Sequence, residues 1–361
     1  MKPKIFFIIP FLTKGGAQRV VCNLSNHFIT KNYSVFILIL NECKIGYLLD
    51  DRIKVIFLIK GRSTNLFSRL KNVVLTFAKF YSLIKTESPD YVISFITSAN
   101  IWAGLLCNMF RIPYLVSERT VTTRTLDTYG FVFKKVVRFF YRKSKAIVVP
   151  SIGIRNELVA KHDLHNVTII KNPITVFNTV SDERVHNRPF ILAVGRLNFV
   201  KGFDLLIEAF NRLESKSVDL LIVGDGKERS RLEQLVTDKG LSESIFFPGR
   251  KDNMQDYYSQ CTLFVLSSRN EGYPNVLIEA MSAGCSCVAF DCQTGPSEII
   301  ETGRNGVLVE NGNVAMLANS INYLLKDNSL RHQLGLEARS IAQGNSIQEI
   351  ACQWEIELKE R

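Results

Sequence analysis

The chain has 361 residues, 46% hydrophobic and 22% charged, which excludes a disordered protein and leaves room for two folded domains. Its net charge of +11 is unevenly placed: residues 1–172 carry 26 Lys and Arg against 9 Asp and Glu, whereas 173–361 carry 19 against 25. That asymmetry calls for an anionic partner of the first half, either lipid headgroups, nucleic acid or a phosphorylated substrate.

The eight cysteines form no Cys-x-x-Cys pair and no zinc spacing, so reduced core thiols are expected rather than a disulfide framework or a metal site. Residues 1–12 contain a short apolar run without a small-residue cleavage site, and they read as a first buried strand, not a signal peptide. The continuous apolar run at 5–9 suits a parallel sheet covered on both faces. A loop then leads to Gly15-Gly16 and a helix with Val20, Val21, Leu24 and Phe28 on one face. The glycine pair is either a plain turn or a place where a ligand approaches the backbone. Strands follow at 35–40 and 55–58.

Residues 65–86 repeat Leu66, Phe67, Leu70, Val73, Val74, Phe77, Phe80 and Ile84 at helical spacing, with Arg69, Lys71, Lys79 and Lys85 among them. A basic amphipathic helix of this kind lies on a membrane or turns an ordinary charged face to water. Residues 91–110 carry no charge, but Ser94, Thr97, Ser98, Asn100 and Asn108 interrupt them, so a strand, a loop and a helix fit better than a membrane span. A strand at 114–116 ends in Ser117-Glu118-Arg119. A second basic run, Lys134, Lys135, Arg138, Arg142, Lys143 and Lys145, is interleaved with Phe131, Phe133, Phe139, Phe140 and Tyr141. No RNA-binding signature accompanies it, which favours lipid over nucleic acid. Strands at 146–149 and 167–170 complete the half.

Polar residues 173–188 read as an interdomain linker. The second half opens with a strand at 190–194 and then Gly195-Arg196-Leu197-Asn198-Phe199-Val200-Lys201-Gly202, two cations in a glycine-bounded loop suited to an anion. A strand at 220–223 ends in Gly224-Asp225-Gly226, and one at 245–247 leads to Pro248-Gly249-Arg250. After the strand at 263–266 comes Ser267-Ser268-Arg269-Asn270-Glu271-Gly272-Tyr273-Pro274-Asn275, then a short helix ending at Gly284. Val276, Leu277, Ile278, Ala280 and Met281 surround Glu279 on that helix, so the helix is expected to be buried and its carboxylate to need a partner. Strands at 287–290 and 306–309 and a helical tail finish the chain. Both halves alternate strand and helix, which is the pattern of two doubly wound parallel sheets.

Gly195-Arg196-Leu197 with Lys201-Gly202, the Gly224-Asp225-Gly226 turn, Glu271 and Glu279 with seven residues between them, and Asp291-Cys292-Gln293-Thr294-Gly295-Pro296-Ser297-Glu298 occur together and in order. This set resembles the donor-binding domain of retaining GT-B glycosyltransferases of family 4. The Gly15-Gly16 loop and Asn172-Pro173 extend the resemblance over the whole chain. It is nearest to bacterial enzymes of capsule, O-antigen and lipid-linked oligosaccharide assembly. Among them, N-acetylgalactosaminyltransferases acting on polyprenyl-diphosphate glycans share the Val92-Ile93-Ser94-Phe95 and Ser117-Glu118 context.

The resemblance implies an α/β GT-B fold, two Rossmann-like domains facing each other across a cleft. An acceptor domain would span 1–172, a linker 173–188, a donor domain 189–345, and a last helix 346–361 would pack back on the first domain. Arg196 and Lys201 would hold the donor diphosphate. Glu271 would meet the sugar hydroxyls, and Glu279 the ribose. Gly195, Gly224 and the backbone of Gly272, Tyr273, Pro274 and Asn275 would line the donor, Gly16 would close over the phosphates, and Arg250 would lie beside the base. The implied partners are a nucleotide sugar, UDP-linked, a lipid-linked glycan and an anionic membrane met through Arg69, Lys71, Lys79, Lys134, Lys135 and Arg138; no nucleic acid, metal or other cofactor is implied. The protein would work in the cytoplasm, peripheral on the inner face of the plasma membrane. Relatives often carry His after Ser-Glu, where this chain has Arg119. Arg cannot act as a base, so it is a candidate ligand for an acceptor phosphate or else a surface ion-pair residue. The rival readings are a basic nucleic-acid-binding protein, revealed by salt-sensitive RNA binding without sugar-nucleotide turnover, and a nucleotide-sugar epimerase, revealed by product without acceptor.

Overall fold

The computed structural model describes residues 2–61, 66–174, 183–215 and 217–359. The chain divides into two compact units, Met1–Pro173 with Ser346–Arg361 (unit 1) and Ile174–Asn345 (unit 2). Of the segment read as a linker, 175–182 lie outside the described residues. Residues before the first strand of unit 2 are already tied to it: Val185 N donates to Gln260 Oε1 at 3.0 Å, and His186 Nε2 and Arg188 Nη1 lie 2.6 and 2.8 Å from Asp219.

Unit 1 runs β1 (Lys4–Ile9), α1 (Gly16–Thr30), β2 (Ser34–Asn41), β3 (Lys54–Ile59), α2 (Leu66–Glu87), β4 (Tyr91–Phe95), α3 (Thr97–Phe110), β5 (Tyr114–Ser117), α4 (Phe131–Lys143), β6 (Ala146–Val149), α5 (Ile152–His162) and β7 (Val167–Ile169). Its seven strands are parallel in the order β3-β2-β1-β4-β5-β6-β7. Phe7 pairs in register with Ile37 on one side and Ile93 on the other. Successive side chains of a strand point to opposite faces, so β1 feeds two cores. Ile5, Phe7 and Ile9 pack with Val20, Val21, Leu24 and Phe28 of α1; Phe6 and Ile8 pack under α2 to α5. Both faces are covered, which is why the strand is apolar throughout.

Unit 2 runs β8 (Phe190–Val194), α6 (Phe203–Asn211), β9 (Asp219–Val223), α7 (Arg229–Asp238), β10 (Ile245–Gly249), α8 (Met254–Gln260), β11 (Leu263–Leu266), α9 (Asn275–Ser282), β12 (Cys287–Asp291), β13 (Val307–Glu310), α10 (Val314–Lys326), α11 (Asn328–Ala338) and α12 (Ile341–Gly344). Its six strands are parallel in the order β10-β9-β8-β11-β12-β13. The final helix, α13 (Ile347–Lys359), belongs to unit 1, where Ile350, Ala351, Trp354 and Leu358 join the core beside α1. Burying Ile350 and Leu358 contributes roughly 1.5–3 kcal/mol each.

Candidate active site

In an open parallel sheet, ligands bind at the carboxyl ends of the strands where the strand order reverses. In unit 2 that reversal falls between β8 and β11. The two loops leaving those strands hold the two charged groups singled out above. Lys201 Nζ and Glu271 Oε1 form an ion pair at 2.5 Å, and Ser268 Oγ donates to the same carboxylate oxygen at 2.6 Å. Thr294 Oγ1, after β12, donates to the Glu271 carbonyl.

Glycine lets these loops nest. Gly202 has φ 64°, and a Cβ there would lie 2.0 Å from the Ser267 carbonyl oxygen. At Gly224, φ is 150° and a Cβ would come within 1.8 Å of the Gly195 carbonyl oxygen. Gly224 thus supports the Gly195 loop by packing. Leu197 N donates to the Asp225 carbonyl at 3.1 Å and ties the same two turns together. Arg196 and Arg250 are exposed at the ends of β8 and β10. Pro274 caps α9 with φ −77° and ψ 96°, and the helix proper starts at Asn275. The Tyr273 hydroxyl accepts from Asn345 Nδ2 at 3.2 Å. Glu279 is buried, and the Tyr258 hydroxyl donates to its Oε2 at 3.1 Å.

Sequence reasoning overlooked two braces. Arg269 donates to both carboxylate oxygens of Asp204 at 2.8 Å, donates to the Phe199 carbonyl at 2.8 Å, and lies 4.0 Å from the Phe199 ring centroid. Burial pushes the Asp204 carboxyl up, but the Arg269 pair outweighs it and holds the group below the usual carboxylate range. Tyr258 is the second brace. Arg269 lies inside the charged stretch already marked, so its cation was a usable signal; Tyr258 had none.

Unit 1 reverses its strand order between β1 and β4. Gly16 is exposed at the start of α1, and the preceding Gly15 exchanges two hydrogen bonds with the Tyr47 hydroxyl, at 2.8 and 2.9 Å. At the end of β4, Ile96 has φ 75°, a strained position for a β-branched residue. The polar residues beyond it bond to one another. Glu118 Oε1 accepts from Thr97 Oγ1 at 2.8 Å, from Asn100 Nδ2 at 3.2 Å and from the Tyr141 hydroxyl. Burial raises the Glu118 pKa above its ordinary value, opposed by these three donors and by Arg119.

Arg119 is no surface ion-pair residue. Its guanidinium lies 5.2 Å from the Phe95 ring centroid and 5.5 Å from that of Trp354, and Nη1 donates to Asn172 Oδ1 at 2.7 Å. Burial depresses its pKa to about 9, so it remains a cation at neutral pH. Arg69, Lys71, Lys79 and Lys135 are exposed on α2 and α4, while Lys134 and Arg138 are partly buried.

A recess of about 540 Å³ lies elsewhere, lined by Tyr91, Tyr114, Arg111, Lys143, Lys145 and Lys359 among others. Tyr91 and Tyr114 open β4 and β5, so it sits at the amino ends of the strands, opposite the loops above. Its cations close helices: Arg111 caps α3, and Lys143 and Lys359 end α4 and α13. They offset the negative helix termini there. Among the described residues no three His, Cys, Asp or Glu side chains are grouped to hold a metal ion.

Two parallel-sheet units, one with a cation, a carboxylate and a short helix start at its switch point, define a GT-B glycosyltransferase. The chain belongs to glycosyltransferase family 4: residues 14–176 match the Glycosyltransferase Family 4 model and residues 178–341 match the model of Glycosyl transferases group 1. It is 29% identical over 88% of both chains to the amylovoran biosynthesis glycosyltransferase AmsD of Erwinia amylovora. It is 27% identical over 94% of both chains to the N-acetylgalactosamine-N,N'-diacetylbacillosaminyl-diphospho-undecaprenol 4-alpha-N-acetylgalactosaminyltransferase of Campylobacter jejuni. Anabaena Alr3699/HepE in complex with UDP shares the fold with a TM-score of 0.80 at 20% identity, over 98% of both chains.

Proposed function

We propose that this glycosyltransferase moves a sugar, GalNAc or another hexose or N-acetylhexosamine, from a UDP-linked donor to a lipid-linked glycan with retention of anomeric configuration. The observation that carries the reading is the Lys201–Glu271 pair at the unit 2 switch point, close to the start of α9. A departing diphosphate gains negative charge. Lys201 and Arg196 supply fixed positive charge for it, and the first amides of α9 add the positive end of a helix. Glu271 neutralises Lys201 before the donor arrives and accepts from sugar hydroxyls once the diphosphate takes the lysine. Glu279 accepts from the ribose hydroxyls, and Arg250 lies beside the base. Retention proceeds by front-face attack of the acceptor hydroxyl, so no side chain acts as nucleophile. The UDP bound by Anabaena Alr3699/HepE and the diphospho-undecaprenol substrate in the Campylobacter name support this choice of donor and acceptor.

The acceptor side of the reading rests on α2 to α4. Phe80 and Ile84 bury the second half of α2, but Phe67 is 80% exposed and Leu70, Val73 and Val74 are also in solvent, alongside Arg69 and Lys71. On α4, Phe131, Val132 and Phe139 are exposed with Lys135, Arg142 and Lys143. Exposed apolar side chains flanked by one sign of charge suit an anionic bilayer surface. Among the described residues no helix is long and apolar enough to cross a membrane. We place the enzyme on the inner face of the plasma membrane.

The test is a panel of UDP-sugars with an undecaprenyl-diphosphate-linked glycan, read by product mass and anomeric NMR. A retained α-linkage from one UDP-sugar is expected. Inverted product overturns the stereochemistry, and transfer from GDP-sugars alone overturns the nucleotide. Vesicle co-sedimentation tests the surface: replacing Arg69, Lys71 and Lys79 by Glu is expected to release the protein from anionic vesicles, and unaltered binding removes α2 from the docking face.

A further inference from the structure

Glu279 sits in the middle of α9 among Leu277, Ile278, Ala280 and Met281 and is 3% exposed. A carboxylate there needs donors that hold it, or its burial is costly. Tyr258 on α8 supplies one through its hydroxyl, 3.1 Å from Oε2. The tyrosine is itself pinned along its length. Its ring packs against Phe264 with centroids 6.0 Å apart, and its carbonyl accepts from Cys285 Sγ at 3.0 Å and Cys261 Sγ at 3.4 Å. Anchored at its backbone and packed along its ring, the hydroxyl has a fixed position, and the carboxylate bonded to it acquires a fixed orientation.

We propose that Tyr258 is a positioning residue for donor recognition: its hydroxyl orients the Glu279 carboxylate toward the ribose diol of the nucleoside diphosphate. The proposal rests on the assignment of Glu279 to the ribose made above. An ionised carboxylate offers about four acceptor sites, so one bond from tyrosine is compatible with two more from vicinal hydroxyls. Phenylalanine at this position keeps the ring contacts and removes the orienting bond.

The test uses the intact protein with whichever of UDP, GDP or ADP raises its Tm most, followed by the 2′-deoxy and 3′-deoxy forms of that nucleotide in titration calorimetry. Wild type is expected to bind at least one deoxy form about tenfold more weakly than the ribose form. In Tyr258→Phe, affinity for the ribose form is expected to fall by about three- to tenfold while the deoxy form binds as before, so the discrimination shrinks. In turnover, donor KM rises and kcat stays within about twofold. A Tyr258→Phe protein that discriminates as well as wild type, or loses affinity equally for all forms, overturns the positioning role. Glu279→Gln separates the two layers. If it too discriminates like wild type, or if wild type does not discriminate, the ribose assignment itself falls. If Glu279→Gln loses discrimination and Tyr258→Phe keeps it, Tyr258 alone is refuted. A Tm that none of the three nucleotides raises removes the donor site.

Discussion

Both sheets reverse their strand order once, between β1 and β4 in unit 1 and between β8 and β11 in unit 2, and the two reversals are furnished in opposite ways. In unit 2 the loops are glycine-nested, and the charged groups, Lys201 and Glu271, are paired at a partly accessible position. In unit 1 the polar groups Ser94, Thr97, Asn100, Glu118 and Tyr141 bond to each other and are buried. One set pairs its charges at a partly accessible position; the other has spent its polarity on the framework. The contrast teaches that strand-end polarity in unit 1 is structural.

The comparison breaks first at Glu271. Glu271→Ala is expected to lower transfer by at least about a hundredfold, roughly 2.7 kcal/mol, in a protein that melts like wild type; full activity there removes the unit 2 site. Lys201→Ala is expected to lower kcat/KM by at least about tenfold, roughly 1.4 kcal/mol, and an unchanged value refutes its phosphate role. Asp204→Asn is expected to cost about two- to fivefold in donor KM by slackening the Arg269 brace; if KM holds, the brace is only a stability element.

The smallest effect sharpens the unit 1 half. Glu118 has a folded pKa above its unfolded value, so the folded state keeps its proton longer. Stability tied to this group is greatest below about pH 4.5 and declines as pH rises from there through the raised folded value. Glu118→Gln is expected to remove that decline from a plot of Tm against pH while transfer persists. A slope unchanged in the variant means that Glu118 ionises in the fold at its ordinary pKa.

Much of the fold was legible because its strands are uninterrupted apolar runs and its helices keep a 3.6-residue period. The site was legible where chemistry is local: Lys201 in a glycine-bounded loop, Glu271 just before α9. Their ion pair was not, since 70 residues separate them and only sheet topology brings β8 beside β11. Asp204 and Arg269, 65 residues apart, were hidden for the same reason. The setting of Arg119 was hidden because its ring partners include Trp354, supplied by the far end of the chain. Glu279 was correctly marked as a buried carboxylate in want of a donor, but periodicity carries no information about which tyrosine comes to it.

The placement of α13 has a bearing on biosynthesis. Trp354, fully buried, fills the core of unit 1 beside Phe95, yet it is encoded after the whole of unit 2. A ribosome therefore releases every strand of the seven-stranded sheet long before the helix that covers part of it emerges. Throughout translation of residues 174–345 that apolar face of unit 1 lacks its last cover, which is the kind of exposed surface that invites misassociation. The same arrangement makes a carboxyl-terminal truncation a lesion of the amino-terminal unit.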